Sequence, residues 1–187
     1  MDDELLDLIG NWVEHIGATI AAIGETKQLA GEEELGYQIG TVGNAVQGIG
    51  NALQAIAGME GTGAVVGNWI QASGTAANSL AEYKLLQGTI DDIDAGRLEI
   101  IGDSLQSFGS MFASLERLGE NPKLVYGNIL QSIGAALEGI GVYTSMVADE
   151  QQGQLLETIG GWFQSIGTAY QAIGATRQYL ADNQTYF

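Results

Sequence analysis

A chain of 187 residues with 45% hydrophobic and only 16% charged residues is long enough to bury one core and too apolar for wholesale disorder. Its 23 acids against six bases give a formal net charge of −17, which argues against nucleic acid and anionic membrane surfaces as partners, since both need clustered Lys and Arg. With no cysteine, a disulfide framework, a thiol nucleophile and a thiolate metal site are all excluded.

The first predicted element, 8–24, reads LIGNWVEHIGATIAAIG and sets Gly10, Gly17 and Gly24 on a seven-residue period. The second, 41–57, repeats it as TVGNAVQGIGNALQAIA with Gly43 and Gly50, and the third, 65–81, as VVGNWIQASGTAANSLA with Gly67 and Gly74. The fourth, 100–116, carries Gly102 and Gly109. The fifth, 125–141, carries Gly127, Gly134 and Gly141, and the sixth, 158–174, Gly160, Gly167 and Gly174. Self-similarity at six places predicts six copies of one structural unit.

Lettering the residue before each glycine a, the a positions hold Ile9, Ile16, Ile23, Val42, Ile49, Ile101, Phe108 and Ile166, and the e positions Val13, Val46, Leu105 and Phe163. The f positions are mostly amides, among them Gln47, Gln71, Gln106, Gln131 and Gln164. This spacing is that of a helix, not a strand. It predicts six amphipathic helices of about 25 residues, about 37 Å long, with a, d and e facing the core and c and f facing solvent.

A glycine inside a helix costs about 1 kcal/mol relative to alanine, so some packing gain must offset so many of them. The expected gain is close approach: the fifteen glycines named above form grooves on the flank of the apolar arc, and Trp12, Trp69 and Trp162 at d positions are natural knobs to fill them. Short connections at 29–36, 58–63, 86–96, 118–123 and 147–153 make consecutive helices antiparallel. Asn121 and Pro122 form a helix start in the fourth connection. The expected fold is all-α: six long antiparallel helices in a single domain, 1–187, built from two three-helix units at about 1–88 and 89–187.

No catalytic constellation accompanies the repeat. His15 is the only histidine and reads as a packing or surface residue; no GxSxG is present. TIDDIDAGRLE (89–99) lacks the ligand alternation of a calcium loop, and GTGAVVG (61–67) has neither a preceding strand nor a following lysine. The uncharged stretches Leu35–Met59 and Gly61–Ala81 are not read as membrane spans, because amides such as Gln38, Asn44, Gln47, Asn51 and Gln54 are costly in lipid.

IGNWVEHIGATIAAIG, VGNAVQGIGNALQAIA and IGGWFQSIGTAYQAIG together resemble a family of uncharacterised repetitive proteins from Bacillus-like Firmicutes, and the resemblance covers nearly all six segments. It implies a Gram-positive source and transfers no activity and no functional residue. Segments three and four depart from the pattern, with Ser73 at an a position and Ala81 and Glu116 in place of the third glycine.

The sequence therefore reads as a non-enzymatic structural or protein-interaction protein that needs no cofactor or metal and assembles with itself or another protein. The alternative is a membrane-active or secreted effector whose helices open into lipid; a carrier of an apolar ligand is a third. Stable membrane insertion and nucleic-acid binding are not expected. The acidic start Asp2-Asp3-Glu4 argues against a signal peptide and for the cytoplasm, with leaderless secretion left open.

Overall fold

The computed structural model describes residues 2–59, 61–118 and 121–183. They form six helices and no strand: α1 (Asp3–Leu29), α2 (Glu33–Ala57), α3 (Thr62–Leu86), α4 (Asp92–Glu116), α5 (Pro122–Val147) and α6 (Glu150–Asn183). Glu60 of the 58–63 connection and Gly119 and Glu120 of the 118–123 connection lie outside the described residues. Helix ends follow local chemistry. The Asp91 carboxylate accepts from Asp94 N–H at 2.9 Å, and the Asn121 side chain accepts from Lys123 N–H at 3.1 Å ahead of Pro122. Gly58 stops α2 at φ 62°, a left-handed cap that favours a residue without Cβ.

Contacts between helices run α1–α2, α2–α3, α3–α4, α4–α5, α5–α6 and α6–α1, so the six close into a ring. The α1–α2, α3–α4 and α5–α6 contacts are the most extensive. Along each of these three interfaces glycine meets glycine: Gly10 with Gly50, Gly17 with Gly43 and Gly24 with Gly36; Gly67 with Gly109 and Gly74 with Gly102; Gly127 with Gly167, Gly134 with Gly160 and Gly141 with Gly153. A Cβ on Gly134 would lie 2.6 Å from Gly160 O, and one on Gly160 would lie 2.6 Å from Gly134 O. Bare Cα atoms so placed leave room for Cα–H···O contacts between neighbouring backbones.

The faces of the helices are the reverse of the expected ones. Among the described residues, the buried apolar ones are alanines, such as Ala18, Ala22, Ala64 and Ala135, with only Leu124, Val125 and Val142 as larger side chains. The largest fully buried side chains are Arg117, Gln47, Gln71, Gln106, Gln131, Gln171 and Glu14. The a positions point outward: Ile49 is 56% exposed and Phe108 61%. Trp12, Trp69 and Trp162 are 41%, 47% and 40% exposed, so they stand on the outer wall and fill no glycine groove. The physical reason is room. Glycine and alanine bring the helices too close for Ile or Trp between them, and only the c and f stripe reaches the axis.

Candidate functional site

The c and f side chains meet on the ring axis in a ladder of polar contacts. Glu14 accepts from Gln54 Nε2 at 2.6 Å and from Gln131, and Gln131 Oε1 accepts from Gln171 Nε2 at 2.7 Å. At mid-height Gln47 Nε2 donates to Gln164 Oε1 at 3.1 Å, and Ser110 donates to Gln71 Oε1 at 2.8 Å. Near the α1–α2 connection the ladder turns acidic. Gln164 donates to Glu138 at 2.6 Å, Asn78 to Asp103 at 2.6 Å and Asn44 to Glu82 at 3.3 Å. Removing amides from water costs little only when each finds a partner, and this ladder supplies most of them.

Six carboxylates, one from every helix except α2 and two from α4, line one chamber of about 40 Å³: Glu25, Glu82, Glu99, Asp103, Glu138 and Glu157. It continues into a vestibule of about 360 Å³ at the same end, which shares Gln28, Glu99, Val142 and Glu157 with it. Burial pushes Glu99 up to about 7, with the Glu157 charge adding to it. Burial, and then the neighbouring acids, hold Glu25 well above the ordinary carboxylate range. Glu82, Asp103 and Glu138 are also held well above it by burial, partly offset by their amide donors. At the opposite end Asp7 is pushed up to about 6 by burial, against the pull of the buried Arg117 guanidinium. Among the described residues no group of three or more His, Asp or Glu is placed to hold a metal ion.

All fifteen predicted glycines are buried at helix contacts, although Gly174 meets only side chains, Lys123 Cβ being nearest at 3.1 Å. His15 is half-buried beside Thr168 Oγ1 at 3.2 Å, and burial lowers its pKa. Glu14, Glu82, Asp103 and Glu138, at the c and f positions expected to face solvent, lie on the axis instead. A signal for this was present. Lys27, Lys84, Lys123 and Arg177 fall at e and Arg97 at d, on the arc assumed to be core. The c and f stripe holds a single base, Arg117, whereas a solvated stripe ordinarily carries lysines.

The outer wall is apolar on all six helices. Every exposed charged residue among those described lies in a connection or within the first or last two turns of a helix. Two grooves run down this wall. One of about 600 Å³ lies between α2 and α3 over Ala45, Ala52, Ala72 and Ala76. The other, of about 660 Å³, lies between α4 and α5 over Ser107, Ser132, Ala135 and Ala136. The third seam, α6–α1, is closed by Trp12 Nε1 donating to Thr176 at 3.0 Å and Trp162 Nε1 donating to Thr26 at 3.2 Å.

Ring closure, glycine-locked interfaces and a polar axis define an all-α helical bundle. Residues 5–184 match a family described as "Family of unknown function (DUF6944)", and the chain belongs to it. No curated protein and no solved structure matches the chain.

Proposed function

We propose that the chain is a non-enzymatic structural bundle, made of three antiparallel hairpins, whose apolar wall is its working surface and is covered by lipid acyl chains. The observation that carries this is the inversion of its faces. In water, burial of Ile, Leu, Trp and Phe drives folding, at about 25 cal/mol per Å². A fold that turns them outward and seals amides inside is favoured when the surrounding solvent is itself apolar. Falling partner numbers along the glycine interfaces support the hairpin reading.

The wall also has the right dimensions. On α2 it runs from Leu35 to Ile56, about 32 Å at 1.5 Å per residue, against about 30 Å for a bilayer's hydrocarbon core. Tyr83 and Tyr143 stand on it near one rim and Tyr126 near the other, where aromatic side chains favour a membrane–water boundary. No described helix is long and apolar enough to cross a membrane. Each helix taken singly has a polar stripe, and closure of the ring hides all six stripes at once. Small residues at helix contacts and interhelical hydrogen bonds are the means by which helices associate in lipid.

A second reading, self-assembly through the wall, draws on the two alanine-floored grooves, which are wide enough for an apolar side-chain ridge. Flotation with phosphatidylcholine vesicles separates the two readings. Lipid embedding predicts that the chain floats with vesicles and resists extraction by alkaline carbonate and high salt. A chain that stays in the aqueous phase as a discrete oligomer, as measured by sedimentation, would overturn lipid embedding and support self-assembly.

A further inference from the structure

We propose that the acidic chamber and its vestibule bind a linear aliphatic polyammonium cation of the spermidine type, threaded along the ring axis from the α1–α2 end. This goes beyond the lipid reading and does not depend on it, because the vestibule opens at the rim.

Three observations carry it. First, Glu138 lines the chamber, is only 7% exposed and accepts from Gln164 through Oε2, yet its Oε1 has no hydrogen-bond partner. A buried carboxylate oxygen left unpaired is costly and calls for a donor. Second, the acids are strung along the axis without converging on a point, and among the described residues no three of them are placed to hold a metal ion. Glu99 and Asp103 are one helical turn apart, about 6 Å along the axis, which matches the separation of nitrogens joined by three or four methylenes. Third, the vestibule alternates acids with apolar surface: Asp92 and Glu150 stand with Ile93, Val142 and Met146. Ammonium groups suit the former and methylene spacers the latter. The chain's charge of −17 adds long-range attraction for a cation.

The chamber carboxylates sit among one another and face Tyr37 of α2 and Glu33, Asp92 and Glu150 at the mouth, with no basic residue lining either space. Protons and polyammonium therefore compete for the same oxygens, and binding strengthens as pH rises.

Isothermal titration of the full chain with spermidine, at pH 6 and pH 8.5 and in parallel with Mg²⁺ and Ca²⁺, tests this. The expected result is one spermidine per chain, bound more tightly at pH 8.5. Glu138→Gln with Asp103→Asn should weaken it at least tenfold, while Glu32→Gln with Glu34→Gln on the exposed rim leaves it unchanged. Asp103→Asn alone serves should the double variant misfold. Absence of saturable binding at pH 8.5 would overturn the proposal. So would equal affinity in the chamber variants, or a preference for Mg²⁺ or Ca²⁺ over spermidine.

Discussion

Replacing Gly134 by alanine sets two effects of opposite sign against each other. Helix propensity favours alanine by about 1 kcal/mol. Geometry opposes it, because the new Cβ would sit 2.6 Å from Gly160 O and 2.7 Å from Gln164 N. Ordinary contact begins at 3.4 Å, so α5 and α6 must part by about 0.8 Å, and the obstructing atoms include backbone that cannot rotate away. Overpacking of this kind costs about 1–3 kcal/mol, and prising the interface apart also strains the Gln164–Glu138 hydrogen bond. The net expectation is a loss of about 1–2 kcal/mol, or about 2–4 °C in Tm for each kcal/mol. Gly139→Ala, on the same helix, is the matched control. Its Cβ would meet only the Asp103 side chain, Cβ at 3.3 Å and Oδ2 at 3.7 Å, close to ordinary contact and with no backbone atom in the way. Denaturant and thermal unfolding followed by circular dichroism should place Gly134→Ala below the parent and Gly139→Ala at or above it. A Gly134→Ala chain as stable as the parent would refute the close-approach account of the heptad glycines.

Other expectations follow from the axis. Glu14→Ala strands the amide donors of Gln54 and Gln131, each worth about 1–3 kcal/mol when buried unmade; a clear drop in the urea midpoint is expected, and an unchanged midpoint would contradict the ladder. Stability should also depend on pH in a definite direction. Glu99 binds its proton more tightly folded, near 7, than at its ordinary 4.5, so its contribution is complete below about pH 4.5 and is lost as pH rises through 7. The unfolding free energy should be greater at pH 5 than at pH 8, and Glu99→Gln should flatten the slope between them. A rise in stability over that interval, or an unaltered slope in the variant, would count against a desolvated Glu99.

The helices and their ends were legible because periodicity, caps and breakers are local signals. The glycine period located the close interfaces for the same reason: a row of absent side chains has no other use on a well-formed helix. What failed was the direction in which each helix faces. An apolar arc and a polar stripe fix a helix's two faces but leave open which of them points outward, and the expectation placed the apolar arc inside. Lys27, Lys84 and Lys123 on the apolar arc were the evidence against that assumption, since a long lysine stem covers apolar surface from outside while its head stays at the rim. The acidic chamber was not legible, because Glu25, Glu82, Asp103 and Glu138 come from four different helices and meet only when the ring closes. The pairing of helices was hidden likewise. The spacings between the glycine-anchored segments suggest two groups of three, whereas the most extensive contacts fall in three pairs.

The three tryptophans give the most direct test of the inverted bundle. Trp12, Trp69 and Trp162 all stand on the outer wall, and the chain has no cysteine to quench their emission. In vesicles of phosphatidylcholine brominated on its acyl chains, their fluorescence should be strongly quenched, while acrylamide from the aqueous phase quenches weakly. Emission that brominated lipid leaves untouched, whether because the rings are buried as knobs between helices or because they face water, would contradict the account.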